Sequence, residues 1–268
     1  MDKLIIFTRN LPLIPMVLIE ATLQAVRCRD DVVATSICVP NYQKLHRLLH
    51  RSIMHRKLQA FLNGEKDQTC TTRWRINLNG LVRRHNVEIL VPPDENFNHP
   101  QFVEHLKNGV KPTMAFSCYC LQKFGTKLLD TFESAANYHN SYLPKYKGIM
   151  ATGWSVYHGE KKSGSTFHRM NENVDEGAVL LQGMLPVRSR EKVINLEFAK
   201  GIAASKCVSR LLEMMVNRER GRPQTCRGTY FSQKDVLKIG RISDPSKHSS
   251  TELMARLRAF GLVLISVK

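Results

Sequence analysis

Short apolar runs alternating with helix-length segments set the narrowest limit on how this chain can fold. LIIF (4–7), VVATSICV (32–39), VEILVP (87–92) and PTMAFSCY (112–119) each read as a buried strand, bounded by polar or turn-forming residues. Between them lie LPLIPMVLIEATLQAV (11–26), helical in its second half, and a helix over 41–62. A second helical stretch ends at Asn86, and FVEHLKNG (102–109) is a helix stopped by Gly109. Parallel strands need crossover connections, and helices then cover both faces of the sheet. The β-α-β-α order therefore predicts an α/β fold, doubly wound around a mostly parallel sheet. Ligands of such sheets sit beyond the carboxyl ends of the strands. Functional residues are thus expected after Cys118–Tyr119 and after the strand that follows.

Several classes are set aside early. The first strand-to-helix turn, TRNLPLIP (8–15), contains no glycine, which excludes a dinucleotide fingerprint and a P-loop there. No apolar run reaches the roughly 18 residues of a membrane span. The N-terminus lacks the basic region and cleavage site of a secretory signal, so a cytoplasmic protein with no membrane association is expected. Cysteines 28, 38, 70, 118, 120, 207 and 226 are odd in number and form no CxxC pair. They read as reduced core residues. Cys118 and Cys120 share one face of an apparent strand, but without a second ligand pair no metal is expected.

Charge points to anions without choosing one. Forty Lys and Arg against 23 Asp and Glu leave a net charge of +17, which attracts nucleic acid, acidic surfaces or phosphorylated small molecules. In KLHRLLHRSIMHRK (44–57), Leu45, Leu48, Leu49 and Ile53 recur at helical spacing. Arg47, Arg51, Arg56 and Lys57 then lie on the outer face, as a solvated surface or an anion-binding one.

The chemistry concentrates in NYHNSYLPKYKG (137–148) and NENVDEG (171–177). Asn137, His139 and Ser141 are spaced by two, so in an extended segment they point the same way. The acidic loop lies between the strand-like STFHRM (165–170) and AVLLQ (178–182). An amide can donate to a developing oxyanion, an imidazole can exchange a proton near neutral pH, and a carboxylate can orient that imidazole. Asn137, His139 and Asp175 are therefore acyl-transfer candidates. Ser141 lacks a G-x-S-x-G elbow and reads as a turn residue. His158 and His168, flanking GEKKSGS, read as structural histidines, and Trp74 and Trp154 as core.

NYHNSYLPKYKG resembles the formyltransferase signature N-x-H-x-S-x-L-P-x-Y-x-G at every fixed position. Methionyl-tRNA formyltransferases and nucleotide-sugar N-formyltransferases share that signature, and glycinamide ribonucleotide formyltransferase has a variant of it. GWSVYHGEKKSGSTFHRMNENVDEGAVLLQ is similar to the family's G-x-T-x-H…D-x-G pattern, with Asp175 and Gly177 in the D-x-G; the resemblance covers roughly residues 85 to 260. It implies a Rossmann-like catalytic domain over 1–217 and a short extension of helix and strand over 218–268. It also implies 10-formyltetrahydrofolate as co-substrate, with no metal. Asn137 and His139 would stabilise the oxyanion, and Asp175 would hold His139. Folate would contact the backbone of Tyr119, Cys120, Leu121, Gln122 and Lys123, and of Asn171, Glu172 and Asn173.

For the acceptor, the glycine-rich phosphate loop of the purine-pathway member is missing. GTYFSQKDVLKIGRI…LRAFG (228–261) resembles the methionyl-tRNA enzymes, but those carry a further C-terminal β-barrel of about a hundred residues, and this chain ends at Lys268. A nucleotide-linked amino sugar is the expected acceptor. Alternatives are tRNA, another amine such as a hydroxylated ornithine, or a degenerate relative that binds RNA through its basic surface. Arg47, Arg51 and Arg56 are expected to face the acceptor's phosphates. The apolar GLVLISV (261–267) is expected to serve as a homodimer strand or a sheet edge.

Overall fold

A computed structural model describes residues 1–9, 14–41, 78–188 and 193–242, together with 252, 255, 259, 263 and 264. The helix expected over 41–62, with Arg47, Arg51 and Arg56, lies outside the described residues. So do Trp74, Cys70 and most of 261–267.

The chain divides into two compact units, Met1–Asn137 with Ser205–Glu219, and Tyr138–Ala204 with Arg220–Lys268. The first unit carries β1 (Asp2–Phe7), α1 (Ile14–Arg27), β2 (Val32–Cys38), α2 (Leu78–His85) and β3 (Glu88–Leu90). It continues through α3 (Pro100–His105), β4 (Met114–Cys118) and α4 (Thr126–Leu129). β5 (Ser134–His139) runs out of this unit, and α7 (Val208–Val216) returns to it. Leu4, Ile5, Ile6 and Phe7 are fully buried. That is why LIIF carries no polar alternation: β1 is paired in parallel with β2 on one side and β4 on the other, and both faces are covered. Met16, Ile19, Leu23 and Val26 on α1, and Leu211, Leu212 and Met215 on α7, supply the apolar stripes of two helices packed together. Phe7 packs edge-on to Phe97 and Phe124, at 5.1 and 4.8 Å. Arg218, just past α7, grips Asp2 with two nitrogens at 2.7 Å each, tying the end of this helix to the start of β1.

The second unit holds β6 (Lys147–Gly148), α5 (Ala151–Tyr157), β7 (Lys162–Arg169), β8 (Val179–Pro186) and α6 (Val193–Ser205). It also contains β9 (Tyr230–Phe231), α8 (Gln233–Gly240), β10 (Arg241–Ile242) and β11 (Val263–Leu264). β7 and β8 form an antiparallel hairpin whose register slips by one residue between Phe167 and His168. β6 pairs in parallel with β9, and Phe231 stacks on Trp154 at 4.0 Å.

The strand order of the main sheet is β3-β2-β1-β4-β5-β7-β8. This is the mostly parallel α/β arrangement expected from the alternating pattern, reversing direction of travel between β1 and β4. No described helix is long and apolar enough to cross a membrane.

Three local expectations are corrected. Gly109 does not stop its helix: α3 continues as a wider turn over Leu106–Val110, and the left-handed Lys111 (φ 53°) ends it, its N–H donating to Leu106 O at 2.7 Å. Cys118 and Cys120 do not share a strand face, because β4 ends at Cys118 and Tyr119 turns left-handed at φ 57°. Cys38 and Cys118 are core thiols, but Cys28, Cys207 and Cys226 are exposed.

Candidate functional site

The motif that follows β5 is fastened from several directions within the second unit. Ser141 Oγ donates to Lys145 O at 2.6 Å, the turn bond expected of it. Thr166 Oγ1 on β7 donates to Ser141 O at 2.7 Å and accepts from Leu143 N at 3.1 Å. Gln182 on β8 donates to Leu143 O at 2.9 Å. β9 completes the frame: Lys147 N donates to Thr229 O at 2.8 Å, and Ile149 N to Phe231 O at 3.0 Å. At Gly148 (φ 89°) a Cβ would lie 2.2 Å from Phe231 O, so only glycine allows the motif to approach β9 this closely.

Asp175 is the buried centre of this region. Its carboxylate accepts the Gly148 N–H at Oδ2, 2.7 Å away. His139 Nδ1 stands 3.4 Å from the same Oδ2, and His168 Nε2 stands 3.4 Å from Oδ1. Each ring's other nitrogen meets a backbone carbonyl: His139 Nε2 is 2.8 Å from Tyr146 O, and His168 Nδ1 is 2.7 Å from Arg169 O. Carbonyl and carboxylate can both only accept, so a neutral ring donates to one of its two partners and a protonated ring to both. The register slip before His168 occurs in the ladder that leads into this contact, and such bulges commonly re-aim side chains beside active sites.

The backbone of Asp175 is itself in the left-handed region, at φ 57°, a conformation that persists only where the surroundings over-determine it. Here they do. Gln224 donates to Asp175 O at 2.8 Å and to Gly177 O at 2.9 Å. Lys147, next to Gly148, pairs with Glu176 at 3.0 Å. Two consecutive motif residues thereby hold two consecutive residues of the acidic loop.

Electrostatics give the pair a definite polarity. Burial works to raise the Asp175 carboxyl, but the His139 and His168 rings and the Gly148 N–H outweigh it and hold the group down at about 2. Burial lowers the proton affinity of His139 below its ordinary 6.5, against the opposing pull of Asp175 and of the Tyr146 carbonyl. Near neutral pH the site therefore presents a carboxylate beside an imidazole able to take a proton. A carboxyl depressed on folding adds stability above its unfolded value and loses it as pH falls through the folded one. From 3.8 to about 2, that is on the order of 2 kcal/mol. We expect unfolding free energy to drop across pH 4 to 2 in urea titrations, and Asp175→Asn to flatten that part of the curve. An unchanged acid slope in the variant would rule this out.

The remaining sequence candidates are placed as follows. Asn137 lies half-buried on β5, two residues before His139 and on the same strand face. In the first unit, Gln122 accepts Phe97 N–H at 2.9 Å and donates to Glu95 O at 2.6 Å, and Asn98 holds Lys123 O at 2.9 Å and Gly125 N at 2.7 Å. These clasps fix the 119–125 loop, on which Leu121 stands 64% exposed. Asn171, Glu172 and Asn173 are exposed, and Asn171 Oδ1 accepts Asn173 N–H at 3.0 Å. His158 stacks on Trp154 at 5.8 Å, and Trp154 is buried, both as expected. His168 is more than a packed histidine, since it faces Asp175. Sequence reasoning missed Gln224 and the fully buried Lys200. Among the described residues, no cluster of three or more His, Cys, Asp or Glu is placed to hold a metal ion.

Comparison with known proteins fits this geometry. Residues 93–206 match the family model described as formyl transferase. A GDP-perosamine N-formyltransferase of Brucella melitensis is 28% identical over 193 residues, covering 70% of this chain and 69% of the relative. A sugar N-formyltransferase from Shewanella superposes with a TM-score of 0.65 at 17% identity, over 97% of this chain and 88% of the other. An N-formyltransferase from Helicobacter canadensis, solved with folinic acid and dTDP-3-aminofucose, superposes with a TM-score of 0.60 at 18% identity, over 97% and 81%. At such identities the superpositions establish the shared fold.

Proposed function

We propose, from the match of residues 93–206 to the formyl transferase family model, that this chain is an enzyme that moves a formyl group from 10-formyltetrahydrofolate to the amine of a nucleotide-linked amino sugar. The observation that carries the reading is the buried Asp175 carboxylate, anchored by Gly148 N–H and facing His139 Nδ1 at 3.4 Å. GDP-perosamine, in the name of a relative, and dTDP-3-aminofucose, in complex with a structural neighbour, support the substrate class.

In the proposed reaction the unprotonated amine attacks the formyl carbon. A C–N bond forms and the carbonyl oxygen becomes an oxyanion. The Asn137 amide, with His139, stabilises that oxygen, and a preorganised donor of this kind contributes roughly 3–4 kcal/mol. His139 takes the proton from the attacking nitrogen and delivers it to N10 as the C–N10 bond breaks, releasing tetrahydrofolate and the formamide. Asp175 orients the ring and stabilises its charge while the proton is in transit.

The folate is proposed to lie against the backbone of Tyr119 to Lys123 and Asn171 to Asn173. The exposed, apolar Leu121 on a loop clamped by Gln122 and Asn98 fits a flat pterin ring, because a rigid, preformed apolar ledge lowers the ordering cost of binding. Arg47, Arg51 and Arg56 are proposed to face the acceptor's phosphates.

The test follows tetrahydrofolate release with nucleotide-linked amino sugars and with charged initiator tRNA, and includes His139→Ala. We expect turnover with an amino sugar, lost in the variant. Replacing Arg47, Arg51 and Arg56 together by Ala is expected to raise the acceptor KM more than it lowers kcat. Turnover with tRNA alone would keep the chemistry and overturn the acceptor.

A further inference from the structure

α6 buries Leu196, Lys200 and Ala204 along one stripe at fourfold spacing, and Lys200 is only 1% exposed. A lysine thus occupies a position that the helix otherwise fills with apolar side chains. Its ammonium makes three hydrogen bonds, matching its three donors. They run to Asn140 O at 2.8 Å, to Thr152 Oγ1 on α5 at 2.7 Å, and to Ser163 Oγ on β7 at 3.1 Å. Ser155 Oγ lies 2.9 Å from Ser163 Oγ and donates to Thr152 O at 2.8 Å, so the acceptors are themselves tied together. All three acceptors are neutral oxygens. Burying an ammonium costs several kcal/mol even after relaxation, and an apolar residue at this stripe position would avoid that cost. Stability alone is therefore a weak reason for the charge to be here.

We propose that Lys200 is a positioning residue for formyl transfer, fastening the peptide immediately after His139 to α5 and β7. The proposal rests on the reaction described above. Asn140 O belongs to the residue that follows His139, so the bond at 2.8 Å fixes where β5 ends and from which point the imidazole projects. The groups bearing on the ring are Asp175 and the Tyr146 carbonyl, which favour its protonation, and His168 and Lys200, which oppose it. Burial pushes Lys200 itself down to about 7, with Glu197 on the same helix pulling the other way. Three acceptor oxygens on its three donors match the ammonium form of Lys200. Burial is the main reason that the His139 ring lies below its ordinary 6.5, and a positive charge at Lys200 adds to that effect.

Lys200→Met removes the charge at similar volume. Three readings are taken on it and on the wild type: transfer kinetics, melting temperature, and the titration midpoint of the His139 ring by NMR, assigned by its absence in His139→Gln. We expect kcat to fall about tenfold, KM for 10-formyltetrahydrofolate to stay within about twofold, and the His139 midpoint to rise by about half a unit. Lys200→Arg, which keeps the charge, is expected to keep the midpoint. Lys200→Gln, which retains a donor for Asn140 O, takes the same readings if the methionine variant does not fold. A lowered melting temperature with an unmoved midpoint would make Lys200 a purely structural residue and overturn the proposal. A wild-type protein that releases no tetrahydrofolate would instead overturn the reaction, which separates the two failures.

Discussion

Asp175→Asn is expected to lower kcat for formyl transfer by about 10⁴-fold while the protein stays folded, the effect seen when a histidine-orienting carboxylate becomes an amide in serine proteases. The geometry makes the substitution well tolerated as packing. The amide oxygen can keep the Gly148 N–H that Oδ2 now accepts at 2.7 Å. The amide nitrogen can then turn to His168 Nε2 in the tautomer whose Nδ1–H donates to Arg169 O at 2.7 Å. What is lost is the negative charge 3.4 Å from His139 Nδ1. Without it, an imidazole already lowered by burial has no counter-charge for the proton it must carry. Steady-state kinetics, read beside a urea unfolding curve at neutral pH, check this. A kcat within tenfold of wild type would show that the pair is not the proton-handling unit.

The same pair shows which features local sequence can express. His139 was visible from its spacing to Asn137 and Ser141, because strand alternation is a local rule. Among the three acids of its loop, Asp175 stands out through the D-x-G of the pattern that the sequence resembles. The parallel core was visible because LIIF and its counterparts are buried on both faces, and so read as unbroken apolar runs. His168 was read as structural because its meeting with Asp175 follows a register slip between β7 and β8, and nothing in FHRM announces that slip. Gln224 reaches Asp175 O from 49 residues away, a separation over which one sequence gives no pairing signal. Lys200 was invisible for a different reason. Periodicity treats a charge on an apolar stripe as the edge of the stripe, and only Asn140 O, Thr152 and Ser163, converging from elsewhere, show that it is inside. Gly109 misled through its ordinary role as a helix stop, because a wider turn carried α3 past it to Lys111.

The largest expected effect on folding is at Gly177. A Cβ there would stand 1.7 Å from Arg169 O and 2.7 Å from its carbonyl carbon. Both atoms are backbone, so no side chain can swing aside to relieve the clash. Arg169 is the last residue of β7, and its N–H donates to Ala178 O at 2.8 Å, one residue beyond Gly177. Displacing it opens the end of the β7–β8 ladder from which the Asp175 loop departs, and strains the Gln224 bond to Gly177 O. Gly177→Ala is therefore expected to destabilise the protein by about 3 kcal/mol or more, beyond the usual range for overpacking because the obstacle is main chain. Transfer activity should fall with it, since the left-handed Asp175 relies on the same bonds. Gly183→Ala is the control. Gly183 is an exposed β8 residue where a Cβ would meet nothing within 4 Å, and alanine there is expected to be neutral or stabilising by a few tenths of a kcal/mol. Urea midpoints for the two variants decide the matter, because equal effects would mean that the close approach of Gly177 to β7 plays no part in holding Asp175.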